Sequence, residues 1–129
     1  MKKLFAIPVV LAALLSSSFV SAASFPSSVD VQQAAKLQSQ GVFLLDVREP
    51  GEYAEIHAKN ATLIPLGQLQ SRLNELAQYK NKPVAVICRS GRRSARGMEI
   101  LQSAGFTQVS NVEGGTSAWA NAGLPVVRN

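Results

Sequence analysis

Cysteine is nearly missing from this chain. Of 129 residues only Cys88 carries a thiol, so no internal disulfide can form. Histidine is as scarce, with His57 alone, and one Cys with one His supplies too few soft ligands for a zinc site. Aromatic residues make up 6% of the chain, and Phe43, Tyr53, Tyr79, Phe106 and Trp119 are scattered rather than interleaved with a basic stripe, which argues against a nucleic-acid surface. No internal repeat and no low-complexity tract is present. The apolar stretch Leu4 to Leu15 is shorter than the roughly 20 residues a membrane-spanning helix needs, holds Pro8, and runs into Ser16 to Ser18.

What is there at the start reads as an export signal. Lys2 and Lys3 precede the apolar stretch, and Val20-Ser21-Ala22-Ala23 is a small-residue cleavage site. Residues 1–22 are expected to be removed by a cut after Ala22 or Ala23, leaving residues 24–129 as one domain in the periplasm with no stable membrane insertion. About 106 residues are enough to bury a core without staples. No cysteine lies at the cut, so lipid attachment there is excluded. Loss of the two lysines lowers the formal net charge from +5 to +3. Exported proteins commonly pair their cysteines, so an unpaired one is either an intermolecular partner or a reactive group.

Hydrophobic spacing divides the remainder into alternating strands and helices. Val31, Ala34 and Ala35 follow helical spacing, with Ser27 or Ser28 as N-cap and Gly41 as a stop. Val42 to Val47 is a continuous apolar run of the kind buried on both faces of a parallel sheet, and Pro50-Gly51 breaks the chain after it. Thr62 to Ile64 reads as a short strand, and Leu66, Leu69, Leu73 and Leu76 as a helix reaching Tyr79. Val84 to Ile87 is the next strand, and a helix from Ser94 uses Ala95, Met98, Leu101 and Ala104 as its inward stripe. Gln108 to Val112 is a last strand, followed by a Gly114-Gly115 turn, a short helix from Thr116 to Ala122 and an extended tail. This alternation predicts an α/β fold with a mainly parallel sheet and helices on both faces. Ligands of such sheets sit beyond the carboxyl ends of the strands.

Cys88 stands at such an end and opens the loop Cys88-Arg89-Ser90-Gly91-Arg92-Arg93. Main-chain N–H groups of Arg89 to Arg93 could converge above the sulfur, with Gly91 permitting the turn. A helix N-terminus and several arginines favour thiolate over thiol and seat an anion, and the cations are expected to outweigh desolvation. Asp46 and Arg48 end the neighbouring strand, and the expectation is that they point to opposite sides. Asp46 would accept N–H bonds at the strand-to-loop turn, and Arg48 would add an anion contact. Ser94 closes the loop as a supporting residue. His57 is read as a structural histidine in a turn, although pairing with Cys88 stays open. Trp119 with Ala118 and Ala122 reads as core packing.

These residues resemble the single-domain rhodaneses, a sulfurtransferase family, over essentially the whole chain from about Ser27 to Val127. The family's Asp-Val-Arg segment is matched by Asp46-Val47-Arg48-Glu49, its Glu-Tyr by Glu52-Tyr53, and its active loop by Cys88 to Ser94. Its ending is matched by Glu113-Gly114-Gly115, Ala118-Trp119 and Gly123-Leu124-Pro125-Val126. The middle segment Gly-His-Ile-Pro-Gly-Ala is degraded: His57, Ala61 and Ile64-Pro65 fit, whereas Ile56, Ala58, Asn60 and Leu63 do not. Asn60 can adopt the left-handed conformation that a glycine would supply.

The resemblance implies a rhodanese-like sheet of about five strands. It also implies transfer of a sulfane sulfur from an anion such as thiosulfate to cyanide or a thiol through a Cys88 persulfide. Arg89, Ser90, Gly91, Arg92, Arg93 and Arg48 would then hold the anion, and no metal or organic cofactor is implied. The alternative is a persulfide carrier serving the thiol of a partner protein. Related phosphatases place the phosphate-gripping arginine six positions after the cysteine. Ser94 occupies that position here, which disfavours phosphatase or arsenate reductase chemistry.

Overall fold

The computed structural model describes residues 25–129. The expected export signal and its cut lie outside the described residues. In chain order the elements are β1 (Ser28–Val29), α1 (Val31–Ser39), β2 (Phe43–Asp46), α2 (Pro50–Glu55), β3 (Ile56–Ala58), β4 (Thr62–Leu63) and α3 (Leu66–Leu69) with a 3-10 helix (Gln70–Tyr79). There follow β5 (Val84–Ile87), α4 (Arg92–Ser103), β6 (Val109–Val112), α5 (Gly115–Asn121) and β7 (Val126–Arg128).

Five strands form one sheet in the order β1-β6-β5-β2-β4, and every neighbouring pair is parallel. The strands with side chains buried on both faces stand in the middle. All four residues of β5 are buried, and the sheet's two faces follow from the period of two along a strand. On one face Leu45, Val84 and Val86 pack with Leu69, Leu76, Leu101 and Phe106. On the other Leu44, Ala85 and Ile87 pack with Val31, Ala34 and Trp119. Helices therefore cover both faces, as the alternating pattern predicts. The register Asp46↔Ile87 brings the carboxyl ends of β2 and β5 level, so Asp46 and Cys88 emerge at the same edge of the sheet.

Several local expectations are corrected. The N-cap of α1 is Asp30, not Ser27 or Ser28: its carboxylate accepts from Gln33 N–H at 2.8 Å while Asp30 N–H donates to the Gln33 side chain at 2.8 Å. Ser28 instead opens β1, which pairs with β6. Pro50 does not break the chain but occupies the first turn of α2, where a missing N–H is harmless and its fixed φ suits the helix. The segment from Leu66 to Tyr79 is not one helix, because Arg72 leaves helical geometry at φ −117° and ψ 16°. The face of α4 that meets the sheet is Ser94, Gly97 and Leu101, with Met98 partly buried against it. Ala95 and Ala104 are only half-buried. The extended tail is β7, paired antiparallel with β3 through His57↔Val127. Asn60 takes φ 66°, the left-handed conformation foreseen for it.

Candidate active site

The Cys88 loop joins the end of β5 to α4, and its shape is set from three sides. From α5, Thr116 N–H and hydroxyl donate to the Cys88 carbonyl at 2.8 and 2.9 Å, and Ser117 N–H donates to the Arg89 carbonyl at 3.1 Å. That contact needs glycine at 115, where an added Cβ would lie 2.5 Å from the Arg89 and Cys88 carbonyls. Inside the loop, Gly91 sits at φ 115° and turns its N–H toward the sulfur, donating to Cys88 Sγ at 3.1 Å. On the α4 side the buried Ser94 hydroxyl lies 3.3 Å from Sγ.

Cys88 is 1% exposed. Burial pushes its thiol up, but hydrogen bonds from the Ser94 hydroxyl and from the N–H groups of Ser94, Gly91 and Ser90 more than offset this and leave it below the ordinary thiol value. The expected direction holds and the main-chain N–H groups contribute to it as expected, but the cations do not dominate: hydrogen bonds to the sulfur are the larger effects favouring the thiolate, with the Arg93 charge beside them. The arginines are disposed differently from one another. Arg93 is clamped by Glu52 through two bonds of 2.7 and 2.9 Å. Arg89 and Arg92 are exposed and form no ion pair among the described residues, leaving two cations at the mouth of the loop.

Asp46 and Arg48 do not point to opposite sides. Residues two apart on extended backbone share a side, and these two form a buried ion pair of 2.8 Å. Arg48 N–H also donates to the Asp46 carboxylate at 3.0 Å, which is the turn-capping role expected of Asp46. The Arg48 guanidinium donates further to the carbonyls of Ile56 and Glu52 at 2.8 and 3.5 Å. It is thus committed to the frame rather than free for an anion. Beside the loop lies a cleft of about 370 Å³ bordered by Arg48, Glu52, Glu55, Arg89, Ser117 and Arg128.

His57 stays apart from the sulfur. Its Nδ1 lies 2.7 Å from the Tyr53 carbonyl and its ring stacks on Tyr53 at 3.6 Å, so it serves the α2–β3 corner. Trp119 is core, 1% exposed, and donates its indole N–H to the Pro125 carbonyl at 2.8 Å.

The site roles of two residues escaped the sequence reading, which noted Glu52 only within the Glu-Tyr match. Glu52 braces α2 by accepting from Glu49 N–H at 2.9 Å and also holds Arg93, whose guanidinium lowers its carboxyl from 4.5 to about 2. Pro50 followed by an acid two positions on was the available signal, a helix start. Asn111 lies in β6 and bonds both Ser94 and Gly91. An amide in a buried strand between Val109 and Val112 was its signal.

Fold and loop together define an α/β domain with a parallel main sheet that presents one cysteine at the carboxyl end of its central strand. Residues 30–122 match the family model described as Rhodanese-like domain, and the chain belongs to that family. It is 36% identical to a sulfurtransferase of Allochromatium vinosum over 69% of this chain and 81% of that protein. It is 34% identical to the thiosulfate sulfurtransferase GlpE of Vibrio cholerae over 76% of this chain and 92% of that one. A solved structure titled rhodanese with anions, from E. coli, is similar with a TM-score of 0.60 at 34% identity, covering 69% of this chain and 100% of that one. Among the curated relatives the chain spans from about half of their length, at 49%, to 92%.

Proposed function

We propose that the protein is a sulfurtransferase that carries sulfur on Cys88. The observation that supports this most directly is a sulfur reached by Gly91 N–H and the Ser94 hydroxyl beneath a loop mouth bearing Arg89 and Arg92. In the first half-reaction the thiolate attacks the outer sulfur of a thiosulfate-like donor. Its electron pair forms the new S–S bond, the donor's S–S bond breaks, and sulfite leaves with that bond's electrons. The anion is drawn in by Arg89 and Arg92, and the charge left on the persulfide is stabilised by main-chain N–H groups. In the second half-reaction cyanide or a thiol attacks the outer sulfur, and Cys88 leaves as thiolate.

The test is intact mass spectrometry of the purified chain before thiosulfate, after it, and after cyanide. Gain of one sulfur on Cys88 and its loss to cyanide as thiocyanate is expected. Absence of any gain with thiosulfate would overturn this donor class, and uptake only from a protein persulfide would make the chain a carrier. Cys88→Ser should abolish transfer and leave thermal unfolding within about 1 kcal/mol of the parent, since the swap removes a group of similar size. Retained transfer in that variant would refute the mechanism.

We further propose that the chain works in the periplasm after removal of its first 22 or 23 residues. The basic start, the apolar stretch and the small-residue site support this. N-terminal sequencing of protein from the periplasmic fraction should find Ala23 or Ser24 first. Intact Met1 there would contradict it.

A further inference from the structure

Two of the groups that face Cys88 Sγ, Gly91 in the loop and the Ser94 hydroxyl of α4, are held by one side chain. Asn111 Nδ2 donates to the Gly91 carbonyl at 3.2 Å, and Asn111 Oδ1 accepts from the Ser94 hydroxyl at 2.5 Å. The bond to Gly91 fixes the amide's orientation, because a flipped amide would set its oxygen against a carbonyl that cannot donate. Asn111 is 7% exposed and Ser94 0%, so water does not supply alternatives. A hydroxyl has one hydrogen. With the Asn111 oxygen at 2.5 Å and the sulfur at 3.3 Å, that hydrogen lies on Asn111, and Ser94 turns a lone pair toward Cys88.

We propose that Asn111 is a positioning residue that competes with Cys88 for the Ser94 hydroxyl hydrogen. While the sulfur is a neutral thiol, S–H can donate to Ser94 and Ser94 to Asn111, and every group is satisfied. When the sulfur ionises, the hydroxyl hydrogen must swing to Sγ, and the buried Asn111 oxygen loses its donor. The thiolate is stabilised by Ser94 at the expense of Asn111, so it stays more basic and more nucleophilic than it would be if Ser94 donated to it without that competitor.

The charged groups around the sulfur are Arg89, Arg92 and Arg93 in the loop and α4, Glu52 on α2 against Arg93, and the Asp46–Arg48 pair of β2. β5, β6, α3 and α5 contain no charged residue, and Glu113 after β6 is exposed and accepts from Ser28. Replacing Asn111 by a neutral residue leaves all of these charges unchanged.

The experiment is titration of the Cys88 thiolate by its ultraviolet absorbance, together with the pH profile of its alkylation by iodoacetamide. It compares the parent chain with Asn111→Leu, Ser94→Ala and the double variant. Asn111→Leu should raise the thiolate-to-thiol ratio at a given pH by about three- to ten-fold, the equivalent of one hydrogen bond. Ser94→Ala should lower the ratio, and adding Asn111→Leu to it should change nothing further. Asn111→Ala, verified by thermal melting, carries the same expectation should the leucine prevent folding. A lowered ratio in Asn111→Leu, or the same shift with and without Ser94, would overturn the proposal and reduce Asn111 to a brace for Gly91. The inference bears on the sulfur chemistry proposed above, yet the titration needs no sulfur donor, so it can fail or succeed independently of that reading.

Discussion

Two arginine–carboxylate pairs flank the Cys88 loop, and they are built for different ends. Asp46 and Arg48 are neighbours on one strand end, with side chains 0% and 4% exposed, and the guanidinium also reaches two main-chain carbonyls. Glu52 and Arg93 are 41 residues apart in sequence, with side chains 27% and 35% exposed, and they join α2 to the first turn of α4. A buried pair is held in place by what its loss would leave uncovered, whereas a half-exposed pair is screened by water. The first pair therefore belongs to the frame, and the second sets where a cation stands beside the thiolate.

The comparison is most easily broken at Arg48. Arg48→Ala leaves the Asp46 carboxylate buried without its partner and should destabilise the domain by about 3–5 kcal/mol, read by denaturant unfolding. A loss below about 1 kcal/mol would mean that Asp46 is not buried in solution. Arg93→Ala should act in the opposite sense, with a stability loss of at most about 1 kcal/mol. Its rate of sulfur uptake from thiosulfate should fall roughly ten-fold, the effect of one charge-assisted hydrogen bond near the reacting anion. If stability fell and uptake did not, the two pairs would have to exchange roles.

The smallest effect is the acid limb of Glu52. Arg93 holds its carboxyl at about 2 in the folded chain against an ordinary 4.5, so the pair's contribution is fully present above pH 4.5 and is lost as pH falls from there toward 2. Glu52→Gln should flatten the fall of melting temperature in that window and leave neutral pH nearly unchanged, since the pair is partly solvated. An unaltered acid limb would show the clamp to be absent in solution.

What was legible in the chain follows the same division between local and long-range causes. β2 and β5 announce themselves as apolar runs because strands buried on both faces need nothing but apolar side chains. The Cys88 loop is readable because a cysteine at a strand end, a glycine and a helix start are contiguous. β1 and the β3–β7 pair were not legible, since strands of two or three residues take their conformation from a partner far along the chain. Arg93 looked like a free cation, because nothing local indicates that Glu52 will fold against it. Arg48 was misassigned for a simpler reason: a period of two already places it beside Asp46.

The sheet's outer strands carry one more consequence. β1 and β4, at the two edges, are two residues each, and the separate β3–β7 ribbon pairs only three residues with three. Among the described residues, no edge strand is longer than three residues, too short a run of unpaired main-chain groups to recruit a strand from another molecule. The long, flat ladders that seed fibrils have no starting template on this surface, so the folded domain should tolerate high concentration without associating edge to edge.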